Sequence, residues 1–553
     1  MNSKTRNAKD LERKAKKNEL LPAFQLYQNY ADGLDGVDKD DEQAQYYLSQ
    51  CINYIEKNSS KSSSCFKPVN KLSLTSLELF DFRRFKNLRI SFQPDLTVII
   101  GDNGQGKTTI LDAISKTLSW INANILKEEG AGQRLSAHHD IRRDAQNSYA
   151  DVLSDFTYGS GLKRLSARLS RASLGTAEKR DSEIKNLREL SNIFRIINDK
   201  SLINLPLCAF YSVERSHPLA RQSKENVATR EDRFDAYNSA LVGSGRFDHF
   251  VDWFIALHKK SVGDKSSQLE SLKQQVIDLE TSVSNGVVSL EPILQQTKKQ
   301  LKEALSTLET ADVNKALTDL QTKEVVVNAI CKVIPSISDI WVDTSSGSDV
   351  ILVKNDSVNI TIKQLSDGQR IFLGLVSDLA RRLVMLNPKL DNPLEGQGIV
   401  LIDEIELHLH PKWQQNIINE LTDTFPNIQF IVTTHSPQVL STVDKTNIRL
   451  FVTDEKGNVH CPQPKFQTKG VKSADILAEL MGTNAIPDVE EARQVDTFSR
   501  YLLDNQKNEA IVLMEDLVRH FGSEHPVISD CQNKLDIFEM KERIKLKRES
   551  SNK

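Results

Sequence analysis

What the chain does without narrows its class first. Its six cysteines, at positions 51, 65, 208, 331, 461 and 531, include no C-x-x-C pair and no metal-ligand spacing. That excludes a disulfide-framed secreted scaffold and suits a reducing cytosol. No run approaches the ~20 apolar residues of a membrane span, and the opening stretch is polar and basic without an apolar h-region. A soluble, cytoplasmic protein with no membrane partner is expected. Charge of one sign is missing too: 27% of residues are charged, yet the formal net charge is −3. With no global basic field, any contact with nucleic acid must come from local patches or through partners. At 553 residues the chain is long enough for about two to four domains with sizeable cores.

What is present centres on residues 97–110. Thr97-Val98-Ile99-Ile100 is a short apolar, β-branched run that reads as a buried strand. Gly101-Asp102-Asn103-Gly104-Gln105-Gly106-Lys107-Thr108 follows and fits G-x-x-x-x-G-K-[ST] at every fixed position. Polyphosphate is held by backbone N–H groups, so such a loop needs residues without a Cβ where the chain passes closest. Gly101, Gly104 and Gly106 supply them. The helix beyond, Lys107 to Leu126, aims its N-terminal dipole at the anion. Lys107 can reach the β/γ-phosphates, and the Thr108 hydroxyl can ligate Mg²⁺.

Around this loop, alternating Leu72, Leu74, Leu77, Leu79, Phe82 and then Leu88, Ile90, Phe92 predict two antiparallel strands. Phe82-Arg83-Arg84-Phe85 stands at their hairpin, either stacking on an adenine and covering its phosphates or forming a solvated turn. Two further strands are expected over Tyr149–Tyr158 and Lys163–Arg171. An apolar strand over Ile203–Tyr211 is left by Ser212-Val213-Glu214-Arg215. In the second half, Leu365-Ser366-Asp367-Gly368-Gln369 opens a helix, with Ser366 a good N-cap residue. Gly398-Ile399-Val400-Leu401-Ile402 runs into Asp403-Glu404. Successive strand residues face opposite ways, so Asp403 can approach Mg²⁺ while Glu404 faces the attacking water. Ile428–Thr434 is a third strand, ending at His435-Ser436-Pro437.

Phosphate loop, LSDGQ, strand-Asp-Glu and strand-His in this order resemble the ABC-type ATPase heads of the SMC, Rad50 and RecF branch. The resemblance implies an α/β fold: a P-loop head of mixed sheet plus an antiparallel β subdomain, a short helical-hairpin insertion, and helical N- and C-terminal modules. It implies ATP and Mg²⁺ as ligands. Asn103, Gly104, Gln105, Gly106, Lys107, Thr108 and Thr109 would cradle the nucleotide, and Thr108 with Asp403 would hold Mg²⁺. Glu404 would polarise water, His435 would sense the γ-phosphate, and Lys107 completes the catalytic set. Ser366, Gly368 and Gln369 would cap the γ-phosphate of a second copy, so a homodimer with ATP sandwiched between heads is implied. Hydrolysis would then be mainly positioning and charge stabilisation. The glutamine that senses Mg²⁺ and water in related ATPases falls on Gln133, on Gln146 or on neither. Glu406-Leu407-His408-Leu409-His410-Pro411 looks like the E-x-H-L-H-P variant of stand-alone defence and OLD-type ATPases. Its His408/His410 pair has no third metal ligand in sequence view.

The flanks extend the resemblance. Residues 1–56 look like a single two-helix Sel1-type repeat that docks on the core or on another protein. Residues 57–70 form a Ser/Lys-rich linker. The head occupies 71–264 and 321–465. Leu269, Leu272, Val276, Leu279, Val283, Leu294, Leu301, Leu305 and Leu308 give 265–320 the seam of a helical hairpin or a pair of core helices, its first arm about 30 Å long. Residues 466–553 are a helical partner-binding tail without Toprim motifs. Its basic end, with Lys545 and Lys547, is a solvated helix end or a nucleic-acid contact. This layout resembles the PtuA ATPase of Septu-type antiphage defence, in its retron-associated form. That family implies an HNH nuclease partner (PtuB-like), held in check by a reverse transcriptase and its RNA-linked DNA (msDNA). Two other readings are a RecF- or Rad50-like repair ATPase, which would favour a longer coil or a basic groove, and a non-catalytic scaffold using ATP as structural glue.

Overall fold

A computed structural model of the chain describes residues 6–60, 65–144, 149–159, 162–176, 180–216, 233–243, 247–263, 265–284, 290–309, 318–344, 349–455, 457–483 and 488–551. The chain divides into two compact units, Met1–Val471 and Lys472–Lys553.

Beside a small hairpin, Val452–Thr453 with Val459–His460, twelve strands among the described residues build the first unit's three larger sheets. They are β1 (Leu72–Phe82), β2 (Phe85–Ser91), β3 (Leu96–Ile100), β4 (Tyr149–Tyr158), β5 (Leu162–Ala172), β6 (Leu207–Tyr211), β7 (Ile337–Asp343), β8 (Val350–Asn355), β9 (Val358–Thr361), β10 (Gly398–Ile402), β11 (Ile428–Thr433) and β12 (Ile448–Leu450). The central sheet has the order β12-β3-β11-β10-β6. Every residue of β3, β6, β10 and β11 is buried, as their unbroken apolar runs require of strands covered on both faces. Helix Lys107–Leu126 packs on β6, β10 and β11, and helix Asp367–Leu386 packs on β6.

Of the expected mixed sheet and antiparallel subdomain, the second is present as expected, while the central sheet is parallel throughout. All pairings in the central sheet are parallel, while β2-β1-β4-β5 form an antiparallel sheet of their own. The reason is connectivity. β1 and β2 are joined by a tight turn, whereas the central strands follow one another only after long crossovers, which parallel pairing needs. The register, with Ile402 opposite Val432 and Thr433 opposite Ile99, brings the carboxyl ends of β3, β10 and β11 to one edge. That edge is where open α/β sheets bind ligands.

The flanking modules differ in detail from their periodicity. The N-terminal module has three helices, Arg6–Ala15, Leu20–Asp32 and Asp41–Ile55, not two. The break falls at Asn18, which adopts a left-handed φ of 58°. The module docks on the head: Tyr54 donates to the Tyr158 carbonyl, and Lys389 pairs with Glu56 at 2.8 Å. The helices Lys265–Ser284 and Glu291–Glu309 pack together as a hairpin, burying Val276 and Leu294. The side chains of Leu269, Leu305 and Leu308 lie outside the described residues. Sequence periodicity assigns nothing to the three-stranded sheet β7-β8-β9. Its alternate positions are half-exposed, which weakens the apolar signal. In the second unit, helices Glu490–Leu503, Lys507–Phe521 and Pro526–Ser551 share a core around Phe498, Leu517 and Cys531. Among the described residues no helix is long and apolar enough to cross a membrane.

Candidate active site

The glycine-rich loop between β3 and helix Lys107–Leu126 borders a cleft of ≈ 290 Å³. Asn103, Gly104, Gly106, Lys107, Thr108 and Thr109 line it from the loop side, Arg83 and Arg84 from the β1–β2 turn, and Glu404 and His435 from the ends of β10 and β11. The glycines serve different needs. Gly104 takes a φ of +75° in open space, so it is the conformation that excludes a Cβ. At Gly106 a Cβ would stand 2.6 Å from the Phe85 ring and 2.9 Å from Arg84 Cδ, so space excludes it as well. The Lys107 ammonium folds onto the loop, donating to the carbonyls of Gly101 at 2.9 Å and Asp102 at 3.0 Å. Burial draws it below the usual lysine range, against the pull of Asp403 and Glu404. Gln105 turns away from the cleft: its amide bonds Asp102 at 3.0 Å and 2.8 Å and stiffens the loop from outside.

The aromatic rings of the β1–β2 turn face inward, away from the cleft. Phe82 and Phe85 are 0% and 1% exposed, and Phe85 stacks on Phe451. Their apolar rings fill the core beneath the loop and leave only the arginines at the cleft. Arg84 donates to the Gly104 carbonyl, and Arg83 pairs with Asp112 and, at 2.9 Å, with Asp140.

Asp403 is buried, and both its carboxylate oxygens accept hydroxyl hydrogens, from Thr108 at 2.7 Å and Thr433 at 2.5 Å. A threonine hydroxyl beside a carboxylate is a hard-oxygen set that suits Mg²⁺. The placement of Glu404 corrects the alternation argument. β10 ends at Ile402, and Glu404 lies in a left-handed turn with φ 46°. The turn, not the strand pleat, aims the two carboxylates apart. Its amides are tied to the neighbouring strands: Asp403 donates to the Tyr211 carbonyl at 2.8 Å, Glu404 to Thr433 Oγ1 at 2.8 Å, and Ile405 to the Thr433 carbonyl at 3.0 Å. Glu406 accepts from the His435 amide and, at 2.7 Å, from the Thr434 hydroxyl, and so seats the histidine. Burial and then the Lys107 charge push the His435 imidazole below its ordinary value, leaving it neutral at pH 7.

The signature stretch sits elsewhere. Ser366 caps helix Asp367–Leu386 in a reciprocal box with Gln369, whose amide also reaches Ser336 at 3.1 Å and Asn355 at 3.0 Å. Ser366 is exposed, and neither it, Gly368 nor Gln369 lines the cleft of its own chain. Gly368 is crowded in cis instead: a Cβ there would overlap the His408 carbonyl oxygen and lie 3.1 Å from its carbon.

Gln133 is exposed, and its backbone is held by Ser119 and Trp120, about 18 Å along the helix from Thr108. It is a surface glutamine. Gln146 lies outside the described residues, as do the side chains of Lys545 and Lys547. His410 accepts from the Lys412 amide as a helix cap, and among the described residues no group of three or more His, Cys, Asp or Glu could hold a metal. Sequence reasoning missed the roles of Thr433 and Glu406. Their signal was their place at the ends of the same two strands, but which side chains meet across a parallel pair follows from register alone.

The family model described as "AAA domain, putative AbiEii toxin, Type IV TA system" matches residues 96–441. The chain is 30% identical over 520 residues to the Retron Vc95 probable ATPase of Vibrio cholerae serotype O1 biovar El Tor, covering 91% of this chain and 95% of that protein. The Retron Ec83 probable ATPase of Escherichia coli is 30% identical over 541 residues, 95% of each chain. The Septu protein PtuA of Bacillus mycoides (strain KBAB4) is 32% identical over 144 residues, 26% of this chain and 19% of that protein. These similarities agree with the resemblance carried by the motifs.

Proposed function

The chain belongs to the AAA-domain family described as putative AbiEii toxin, Type IV TA system, and from that premise we propose that it hydrolyses ATP as the regulatory head of a retron-type antiphage defence complex. The observation that carries the reading is the convergence at one sheet edge. The Thr108 hydroxyl meets the Asp403 carboxylate at 2.7 Å, while Lys107, Glu404 and His435 line the same cleft.

In this reading the loop amides and Lys107 bind the triphosphate of the substrate ATP. Thr108 and Asp403 would hold Mg²⁺, which when bound neutralises charge on the phosphate oxygens. Glu404 orients the attacking water and accepts its proton as the γ-phosphate bond to ADP breaks. His435 hydrogen-bonds at the γ-phosphate. The exposed Ser366, at the positive end of helix Asp367–Leu386, closes over the nucleotide of a second copy, so turnover requires a head-to-head homodimer.

The same proposal assigns partners. An HNH nuclease docks on the helical unit Lys472–Lys553. A reverse transcriptase with its msDNA docks on the N-terminal helices, and nucleic acid is reached through these partners. The test is Glu404→Gln in the full chain. ATP should remain bound, dimers should accumulate by light scattering, and phosphate release should fall to a slow, still measurable residual rate. Wild-type turnover in that variant, or a wild-type protein that stays monomeric with ATP, would overturn the reading.

A further inference from the structure

Arg215 leaves the end of β6 and reaches under the catalytic turn. Its Nη1 donates to the carbonyls of Ser212 at 2.9 Å and Asp403 at 2.6 Å, and its Nη2 donates to the carbonyl of Glu404 at 2.7 Å. The side chain is partly buried, does not line the cleft, and feels the opposite charges of Asp403, Glu406 and Glu404. The turn it grips is the left-handed one at Glu404, a conformation that a residue with a Cβ holds only when its surroundings enforce it. The amides of Asp403, Glu404 and Ile405 are anchored to β6 and β11. The Asp403 carbonyl is anchored by this guanidinium, and the Glu404 carbonyl by the guanidinium together with the Leu407 amide, which donates to it at 2.9 Å.

We propose that Arg215 is a positioning residue for hydrolysis: its two-pronged hold on the Asp403 and Glu404 carbonyls fixes the turn that aims the Glu404 carboxylate into the cleft. The inference rests on the hydrolytic reading above and adds to it a residue from the short helical turn Val213–Ser216 that follows β6, a strand that carries none of the recognised motifs. The planar fork is what the geometry uses. A lysine at this place presents a point charge and cannot span both carbonyls with fixed direction. Misplacing a catalytic group by about 1 Å costs on the order of 10²-fold in rate, while ATP binding, made by the loop on β3, stays intact.

The test compares Arg215→Met, Arg215→Lys, Glu404→Gln and the Met/Gln double variant in the full chain. Expected for Arg215→Met are an unchanged Kd for a fluorescent ATP analogue and a kcat lowered about 10²-fold. Amide hydrogen exchange should quicken at least about tenfold across residues 403–406 and stay unchanged over 101–109. Arg215→Lys should fall between. In the Glu404→Gln background, Arg215→Met should cost nothing more, because its effect runs through Glu404. Wild-type kcat, retained protection at 403–406, or losses that multiply in the double variant would each overturn the proposal. If Arg215→Met does not fold, Arg215→Lys decides: reduced kcat at unchanged Kd supports the proposal, and wild-type kcat sinks it. A wild-type protein without ATPase activity would fell the hydrolytic reading alone, since the exchange measurement still reports whether Arg215 holds the turn.

Discussion

Gly368 offers a perturbation whose outcome two opposing effects decide. Replacing it with alanine in a helix first turn should by propensity alone stabilise the protein by up to about 1 kcal/mol. The structure argues the opposite sign. The new Cβ would overlap the His408 carbonyl oxygen and lie 3.1 Å from its carbon. His408 is itself held in a left-handed turn with φ 61°, so this backbone cannot yield cheaply. Overpacking of this kind costs about 1–3 kcal/mol, leaving a net destabilisation of about 0–2 kcal/mol. The functional cost is larger. Relief needs a relative shift of about 1 Å between the Ser366 cap and the His408 turn, and misplacement on that scale costs on the order of 10²-fold in rate. The assay is thermal unfolding without nucleotide, followed by steady-state ATPase. The midpoint should drop by about 0–2 °C, and turnover should fall about 10²-fold. A Gly368→Ala protein more stable than wild type and fully active would refute the reasoning, because propensity would then have won and the cis contact would be immaterial.

Three further outcomes are expected. In the nucleotide-free protein His435 should titrate below the ordinary histidine value of about 6.5. Lys107→Ala should move it up without restoring it, because burial remains; an NMR titration at or above the ordinary value would contradict this. Asp378 is buried, and both its oxygens are used by Arg382 at 2.7 Å, Tyr211 at 2.9 Å and Arg381 at 3.2 Å. Asp378→Ala should therefore cost about 3–5 kcal/mol in denaturant unfolding, since it strands two buried guanidinium groups. Burial opposes ionisation there, yet the arginines hold its carboxyl below the usual range. Its stabilisation is present at neutral pH and is lost as pH falls below the unfolded value of about 3.9. Gln133→Ala should leave kcat and KM unchanged, and a large loss would return that residue to the site.

Much of the head is legible in sequence where local rules act alone. The loop 101–109 declares itself because a phosphate cradle built of backbone amides tolerates few residue types, and β3, β6, β10 and β11 declare themselves as apolar runs. The helix start at Ser366 follows from its reciprocal box with Gln369. Legibility fades where the signal is weak or borrowed. β7–β9 are half-exposed strands, and the turn at Phe82–Phe85 reads as aromatic and basic without revealing that its rings point inward. Asn18 breaks a helix that periodicity carries through.

By itself, then, the sequence determined which chemical groups exist and the order in which they come: lysine and threonine after a glycine loop, paired carboxylates after one strand, a histidine after another. Tertiary structure alone decided which of them meet. Parallel register set Thr433 against Asp403, a left-handed turn rather than strand alternation turned Glu404, and Arg215 came from beyond the end of β6 to grip that turn. The physical reason is range: loop and cap preferences act over a few residues, whereas the bonds that aim the carboxylates join distant positions, 30 apart for Thr433 and Asp403 and 189 apart for Arg215 and Glu404.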